Sequence, residues 1–233
     1  MGEPAQKRLV RKLDLERFLS TVKPLPSPRA SLEQYTTSEP VAATMLYLAA
    51  YTYGDIEGKN VLDLGCGTGR LSLGAAFLGA KSVVGIDIDE TAVKTAAENA
   101  ALSGLDAEFE WVIGDIQAIE GQFDTVLQNP PFGVQKRAAD RRFLEKALEV
   151  GGAIYSLHNH PYNDDSLAGR LRGSSHGSAQ VAPSPFLARF VEELGGKIEA
   201  VYILPLVIPH MFGFHTKAKH EVVVDLYVIR RRN

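Results

Sequence analysis

Apolar positions along this chain follow first a helical period and then an alternation of strand and helix. Residues 6–21 place Leu9, Val10, Leu13, Leu15, Phe18 and Leu19 at roughly helical spacing. Pro24, Pro26 and Pro28 then turn the chain into a loop. A second helix opens at Thr37-Ser38-Glu39-Pro40, with Thr37 or Ser38 as N-cap and Pro40 near the first turn. Its apolar face is Val41, Met45, Leu46, Leu48 and Ala49, and Gly54 and Gly58 flank the break that follows. Strands are then expected over residues 60–64, 82–86, 108–113, 123–128 and 153–157. Helices alternate with them over residues 69–79, 90–103, 138–149 and 184–194, each followed or closed by a glycine. Repeated βαβ units predict a mostly parallel sheet with helices on both faces. The last two strands, over residues 198–204 and 221–229, have no helix between them and predict an antiparallel hairpin at one edge of a seven-stranded sheet. Residues 159–183 and the connection 205–220 read as long irregular stretches. The expected organisation is one domain over 1–233, with a helical extension at 1–55 and an α/β core at 56–233.

Composition narrows the class. With 233 residues, 45% apolar and 23% charged, the chain suits one α/β domain with a sizeable core, not a disordered or collagen-like chain. No apolar run reaches about 18 residues, so no membrane span is expected. The start is charged and lacks an apolar signal core. A lone cysteine, Cys66, excludes an internal disulfide and suits a reducing, cytoplasmic setting. The net charge of −3 argues against nucleic acid, but it averages two unlike regions. Residues 87–124 hold ten acidic side chains against Lys94 alone, a net −9, which leaves about +6 elsewhere. That positive charge gathers near the N-terminus (Lys7, Arg8, Arg11, Lys12, Arg17), at Lys136, Arg137, Arg141 and Arg142, and at the C-terminus.

The first strand runs into Asp63-Leu64-Gly65-Cys66-Gly67-Thr68-Gly69, a glycine turn that lets backbone approach a ligand at the carboxyl end of the sheet. The second strand ends at Asp87, where a carboxylate can accept both ribose hydroxyls. These features fit NAD or S-adenosylmethionine. An acidic residue after the third strand, Asp115, can take an adenine amino group beside Ile116, and it favours S-adenosylmethionine. The fourth strand ends in Asn129-Pro130-Pro131-Phe132-Gly133. The two prolines fix φ and remove two amide donors, leaving carbonyls free. An exocyclic amine is a poor nucleophile with two N–H donors. The Asn129 oxygen and the Pro130 carbonyl can accept both, and Phe132 offers a ring for the base to stack on.

On residues 63–69, Asp87, Asp115 and residues 129–132, the chain resembles a class I S-adenosylmethionine-dependent methyltransferase with a Rossmann-like fold and an Asn-Pro-Pro-Phe motif. Leu32-Glu33-Gln34-Tyr35-Thr36-Thr37, Tyr155-Ser156-Leu157-His158 and the closing strand from Glu221 to Leu226 narrow the resemblance. It is to the methyltransferase-like family acting on adenine N6 of small-subunit ribosomal RNA, as an archaeal-type member. The resemblance covers roughly residues 30–158 and 197–229; Thr36, often proline in the family, and the insert at 159–183 depart from it. It implies that Gln34 and Thr37 close over the cofactor and that Gly65, Gly67, Thr68, Gly69, Arg70, Asp87, Asp115 and Ile116 contact it. RNA would meet Lys136, Arg137, Arg141, Arg142 and His158. The resemblance also implies a small zinc-containing activator protein as heterodimer partner. Guanine N2, DNA adenine, a protein glutamine amide, a non-catalytic subunit and an NAD dehydrogenase are the competing readings. His158, His160 and His176 lack the partners of a metal site, and none is expected.

Overall fold

The computed structural model describes residues 9–34, 36–132, 139–161, 171, 178–209 and 219–232. Helices α1 (Lys12–Leu19) and α2 (Glu39–Tyr47) precede β1 (Asn60–Leu64), α3 (Arg70–Phe77), β2 (Ser82–Asp87), α4 (Glu90–Ser103), β3 (Glu108–Ile113) and β4 (Phe123–Gln128). Then come α5 (Ala139–Val150), β5 (Gly151–Asn159), β6 (Ala179–Gln180), α6 (Pro185–Glu193), β7 (Gly196–Pro209) and β8 (Lys219–Arg231). The sheet order is β3-β2-β1-β4-β5-β8-β7-β6. The first five strands are parallel; β8, β7 and β6 are joined antiparallel.

The mostly parallel sheet with an antiparallel edge is the expected architecture, with three differences. It has eight strands among the described residues rather than seven, because Ala179 and Gln180 pair with Ile203 and Tyr202 inside the stretch read as irregular. The connection read over 205–220 is strand at both of its described ends: β7 runs on to Pro209 opposite Lys219, where β8 begins. Pro205 lies beyond the short β6, on the open side of β7, where a missing amide donor breaks no ladder bond. The first helix begins only at Lys12: Leu15 and Leu19 are buried in it, Leu13 faces outward, and Leu9 lies exposed ahead of it.

One face of the sheet packs on α1, α2 and α3 in the cluster that holds Leu15, Leu46, Leu71, Tyr155 and Val228. The other face packs on α5 and α6 around Leu144, Leu148, Val191 and Tyr227. Alternation along β4 therefore turns consecutive side chains to different helical layers. Gly85 is dictated by packing, since a Cβ there would stand 2.4 Å from the Trp111 ring. Trp111 is itself stacked on Phe109 along the edge strand.

Candidate active site

The carboxyl ends of β1 to β4 meet at a cleft of about 230 Å³. Gly65, Gly67 and Gly69 all take positive φ (71°, 55° and 82°), which a side chain would strain. The turn is pinned from β2: the amides of Gly65 and Cys66 both donate to the Ile86 carbonyl at 2.9 Å. The Gly67 amide donates to Asp87 Oδ2 at 2.9 Å, and the Asp89 amide to Asp87 Oδ1 at 2.9 Å. Each oxygen keeps a lone pair for a ligand hydroxyl. Burial pushes the Asp87 carboxyl up. Asp63 lies deeper, its Oδ2 accepting the Ser72 amide at 2.9 Å and hydroxyl at 2.6 Å. Burial, opposed by those bonds and assisted by the Asp87 charge, pushes its carboxyl up to about 7.

Asp115 caps the turn Ile116–Ala118 through Gln117, at 3.0 Å. Arg142 of α5 approaches Asp115 at 3.3 Å, so this arginine faces the cleft. Ile88 and Ile116 supply apolar wall. Asn129 stands at the end of β4 with its Nδ2 donating to Thr37 Oγ1 at 2.9 Å. Its Oδ1 is buried and has no partner. Pro130 is buried, Pro131 lines the cleft, and Phe132 packs half-buried against the core.

The family model for ribosomal protein L11 methyltransferase (PrmA) matches residues 41–130, the stretch that ends in this motif. The rRNA N(6)-adenosine-methyltransferase METTL5 of Danio rerio is 33% identical over 217 residues, spanning 91% of this chain and 95% of that protein. The chain belongs to the METTL5 family of class I methyltransferases. A solved structure of a proposed RNA methyltransferase from Pyrococcus horikoshii aligns with TM-score 0.80 at 35% identity, over 97% of this chain and 100% of that one. Magnesium protoporphyrin IX methyltransferase of Synechocystis PCC 6803, solved with S-adenosylhomocysteine bound, shares the fold at 20% identity and TM-score 0.56, over 81% of this chain and 80% of that one. This methyltransferase depends on S-adenosylmethionine.

The residues in the cleft suit that cofactor. Carboxylates Asp63 and Asp87 suit a cationic sulfonium and sugar hydroxyls, and a spare N–H suits a carboxylate. The spare N–H belongs to Arg70. Its Nη1 donates to the Thr37 carbonyl at 2.6 Å and pairs with Glu39 at 2.9 Å, while its buried Nε has no partner. Thr68 lines the cleft, and its carbonyl accepts from Asn99 at 3.0 Å.

A strap from residue 25 to 37 crosses the opening, with Tyr35 outside the described residues. Gln34 ties it down together with two groups that sequence reasoning missed, Arg29 and Asp89. Asp89 accepts Arg29 Nη2 at 2.7 Å on one oxygen and Gln34 Nε2 at 2.7 Å on the other, while also capping α4 through Thr91. Burial alone would raise the Asp89 carboxyl; the Gln34 and Thr91 bonds and the Arg29 charge outweigh it and hold it low. The available signal was an acidic N-cap two residues after Asp87.

The basic residues expected to meet RNA separate. Lys136, Arg137 and Gly133 lie outside the described residues. Arg141 is exposed, its guanidinium 4.6 Å over the Phe186 ring. His158 corrects an expectation. It is only 4% exposed, its Nε2 is 2.8 Å from Ser156 Oγ and its Nδ1 is 3.7 Å from Asp140, so it does not face a phosphate. Ser156 in turn accepts from Gln128 Nε2 at 2.8 Å. Among the described residues no group of three or more His, Cys, Asp or Glu is set to hold a metal. No described helix is long and apolar enough to cross a membrane.

Proposed function

We propose that this methyltransferase transfers a methyl group from S-adenosylmethionine to the exocyclic N6 amine of an unpaired adenosine in RNA, with small-subunit ribosomal RNA as substrate. The observation that carries the reading is the buried, unpartnered Oδ1 of Asn129 at the carboxyl end of β4, beside the cofactor cleft. An unmet buried acceptor costs about 1–3 kcal/mol. An N–H from the target amine would relieve that cost. The similarity to METTL5 over nine-tenths of the chain supports RNA adenosine as the target.

In this reading Asp87 holds the ribose, Asp115 and Ile116 the adenine, Arg70 and Thr37 the amino-acid end, with residues 65–69 as floor. Gln34 holds the strap across it. Asn129 Oδ1 and the Pro130 carbonyl accept the two amine protons and turn the nitrogen lone pair toward the methyl group, while Pro131 and Phe132 support the base. The cofactor supplies an electrophilic methyl on a sulfonium. As the N–C bond forms, the S–C bond breaks and the sulfur leaves as a neutral thioether. The amine nitrogen, now cationic, then loses a proton to water. Positioning and electrostatics supply the acceleration. The target nucleotide must leave any stack to reach the strand ends. Arg141, with Lys136 and Arg137, would hold phosphates.

Similarity over 78 residues, at 42% identity, to a proposed protein N5-glutamine methyltransferase of Methanocaldococcus jannaschii favours one second reading, a protein amide substrate, because the same two acceptors serve any planar NH2. Guanine N2 and DNA adenine would also satisfy them. Nucleoside mass spectrometry of ribosomal RNA from cells with and without the protein separates these readings. Loss of N6-methyladenosine from small-subunit RNA is the expected result, and unchanged RNA modification overturns it. A zinc-containing activator would suit the open edge at β3, where Ile113 is 53% exposed, and co-purification tests that heterodimer. The single buried thiol suits work in the cytoplasm.

A further inference from the structure

The Asn129 amide has two orientations of nearly equal shape, and only one offers an oxygen to an incoming amine. Thr37 Oγ1 lies 2.9 Å from Asn129 Nδ2. A hydroxyl donates as readily as it accepts, so on its own Thr37 tolerates either orientation. Its surroundings remove that freedom. Thr37 is buried and lines the cofactor cleft together with Arg70. The Thr37 carbonyl and Glu39 both occupy Arg70 Nη1, which leaves Nε as a buried donor without a partner. This corner therefore combines a spare N–H on a cation with a hydroxyl whose proton is uncommitted. Glu39 meets Nη1 alone, so Nε and the hydroxyl still lack an acceptor, and the one anionic group of S-adenosylmethionine, its amino-acid carboxylate, can serve both.

We propose that Thr37 is a positioning residue through which bound cofactor sets the orientation of the Asn129 amide. When the carboxylate accepts a hydrogen bond from the Thr37 hydroxyl, Oγ1 is left only as an acceptor. Asn129 must then offer it an Nδ2 proton, and Oδ1 is turned toward the target. Without the carboxylate, Thr37 can donate to Oδ1 instead, and the amide orientation that serves the reaction is no longer enforced. The strap and the catalytic motif, 92 residues apart in sequence, are thereby coupled by one hydroxyl. The inference rests on the cofactor reading of the cleft and is independent of which amine is methylated.

The test reads the amide directly. In 15N–1H spectra of the full chain, the Asn129 side-chain NH2 is assigned by its loss in Asn129→Ala. S-adenosylhomocysteine, which keeps the carboxylate, is expected to shift this pair and slow its exchange with water. 5′-Methylthioadenosine, which has the adenosine and thioether but no carboxylate, is expected to do neither. Thr37→Val should abolish the response to S-adenosylhomocysteine and Thr37→Ser should restore it. Turnover should drop about 10–100-fold in Thr37→Val, with the cofactor KM changing less than kcat. An equal response to both ligands in the unaltered protein overturns the proposal, whether or not the valine variant folds. An unchanged response in folded Thr37→Val also overturns it. No RNA enters these spectra, so an error in the proposed substrate leaves the result readable.

Discussion

Ser72 closes over one oxygen of Asp63, its amide donating at 2.9 Å and its hydroxyl at 2.6 Å to the same Oδ2. The carboxyl is nonetheless pushed up to about 7 from an ordinary 3.8, because burial outweighs both bonds. Its contribution to folding is full below about pH 4 and is lost as pH rises through 7. A cation in the cleft favours the ionised form. Affinity for S-adenosylmethionine is therefore expected to rise from pH 5.5 to 7.5, by up to about tenfold per pH unit, and then to level off. S-adenosylhomocysteine, which has no sulfonium, should show a shallower rise, and Asp63→Asn should flatten both. Calorimetric titrations across that range check the slope; a flat profile for the unaltered protein refutes it.

Asn129→Ala removes the acceptor without touching the glycine turn. Turnover is expected to fall by about 100–1,000-fold, the scale of losing one well-placed transition-state contact. Cofactor affinity should stay within a few-fold, since Asp87 and Arg70 are untouched. Single-turnover assays with labelled cofactor measure the first quantity and equilibrium dialysis the second.

Asp89 holds the strap and a helix end at once. Asp89→Ala should cost about 1–2 kcal/mol through the lost cap, loosen residues 29–34 in hydrogen exchange, and weaken cofactor binding. Asp89→Asn keeps the cap and should recover most stability while leaving Arg29 without its counter-charge. Because this carboxyl is held low, its stabilising contribution is present above the ordinary carboxylate value and is lost only as pH falls through the lowered one. Thermal melts at pH 7 and pH 3 compare the two variants.

Gly85→Ala drives a methyl group into the Trp111 ring, which would lie 2.4 Å away at Cζ3 and 2.6 Å at Cε3. The ring is stacked on Phe109 and does not yield freely. Overpacking of this kind costs about 1–3 kcal/mol. Pairing the change with Trp111→Leu should recover part of the loss, and a double-mutant cycle by denaturant unfolding reads the coupling.

Much of this architecture is legible in one sequence. The elements Glu90–Ser103, Glu108–Ile113 and Phe123–Gln128 lie where periodicity and the closing glycine place them. The hairpin hid its length because Pro205 and Pro209 are breakers in most contexts, and only the open side of β7 makes them harmless. Two residues of β6 are too few to alternate. Of the site, Asp87, Asp115 and Asn129 announce themselves at successive strand ends. Arg29 and Asp89 do not, because they meet across 60 residues of sequence. His158 misleads because polar residues near strand ends are usually exposed. Here β5 is flanked by β4 and β8, and Ser156 supplies the partner that lets an imidazole lie inside.

Gly74 lies where three helices converge: a Cβ there would stand 2.3 Å from Leu46 of α2 and 3.2 Å from Leu19 of α1. The strap leaves after α1 and returns into the start of α2, and both of those helices pack on α3 at Gly74, so it is held at both ends. It can bow, but it cannot swing away like a flap with one free end. Pro26 and Pro28 within it, and Pro24 just before it, stiffen the arch further. Adding residues to such a closed arch raises its entropy cost only with the logarithm of its length. How long this enzyme retains its cofactor can thus be retuned by inserting residues in the arch, with the sheet beneath left unedited.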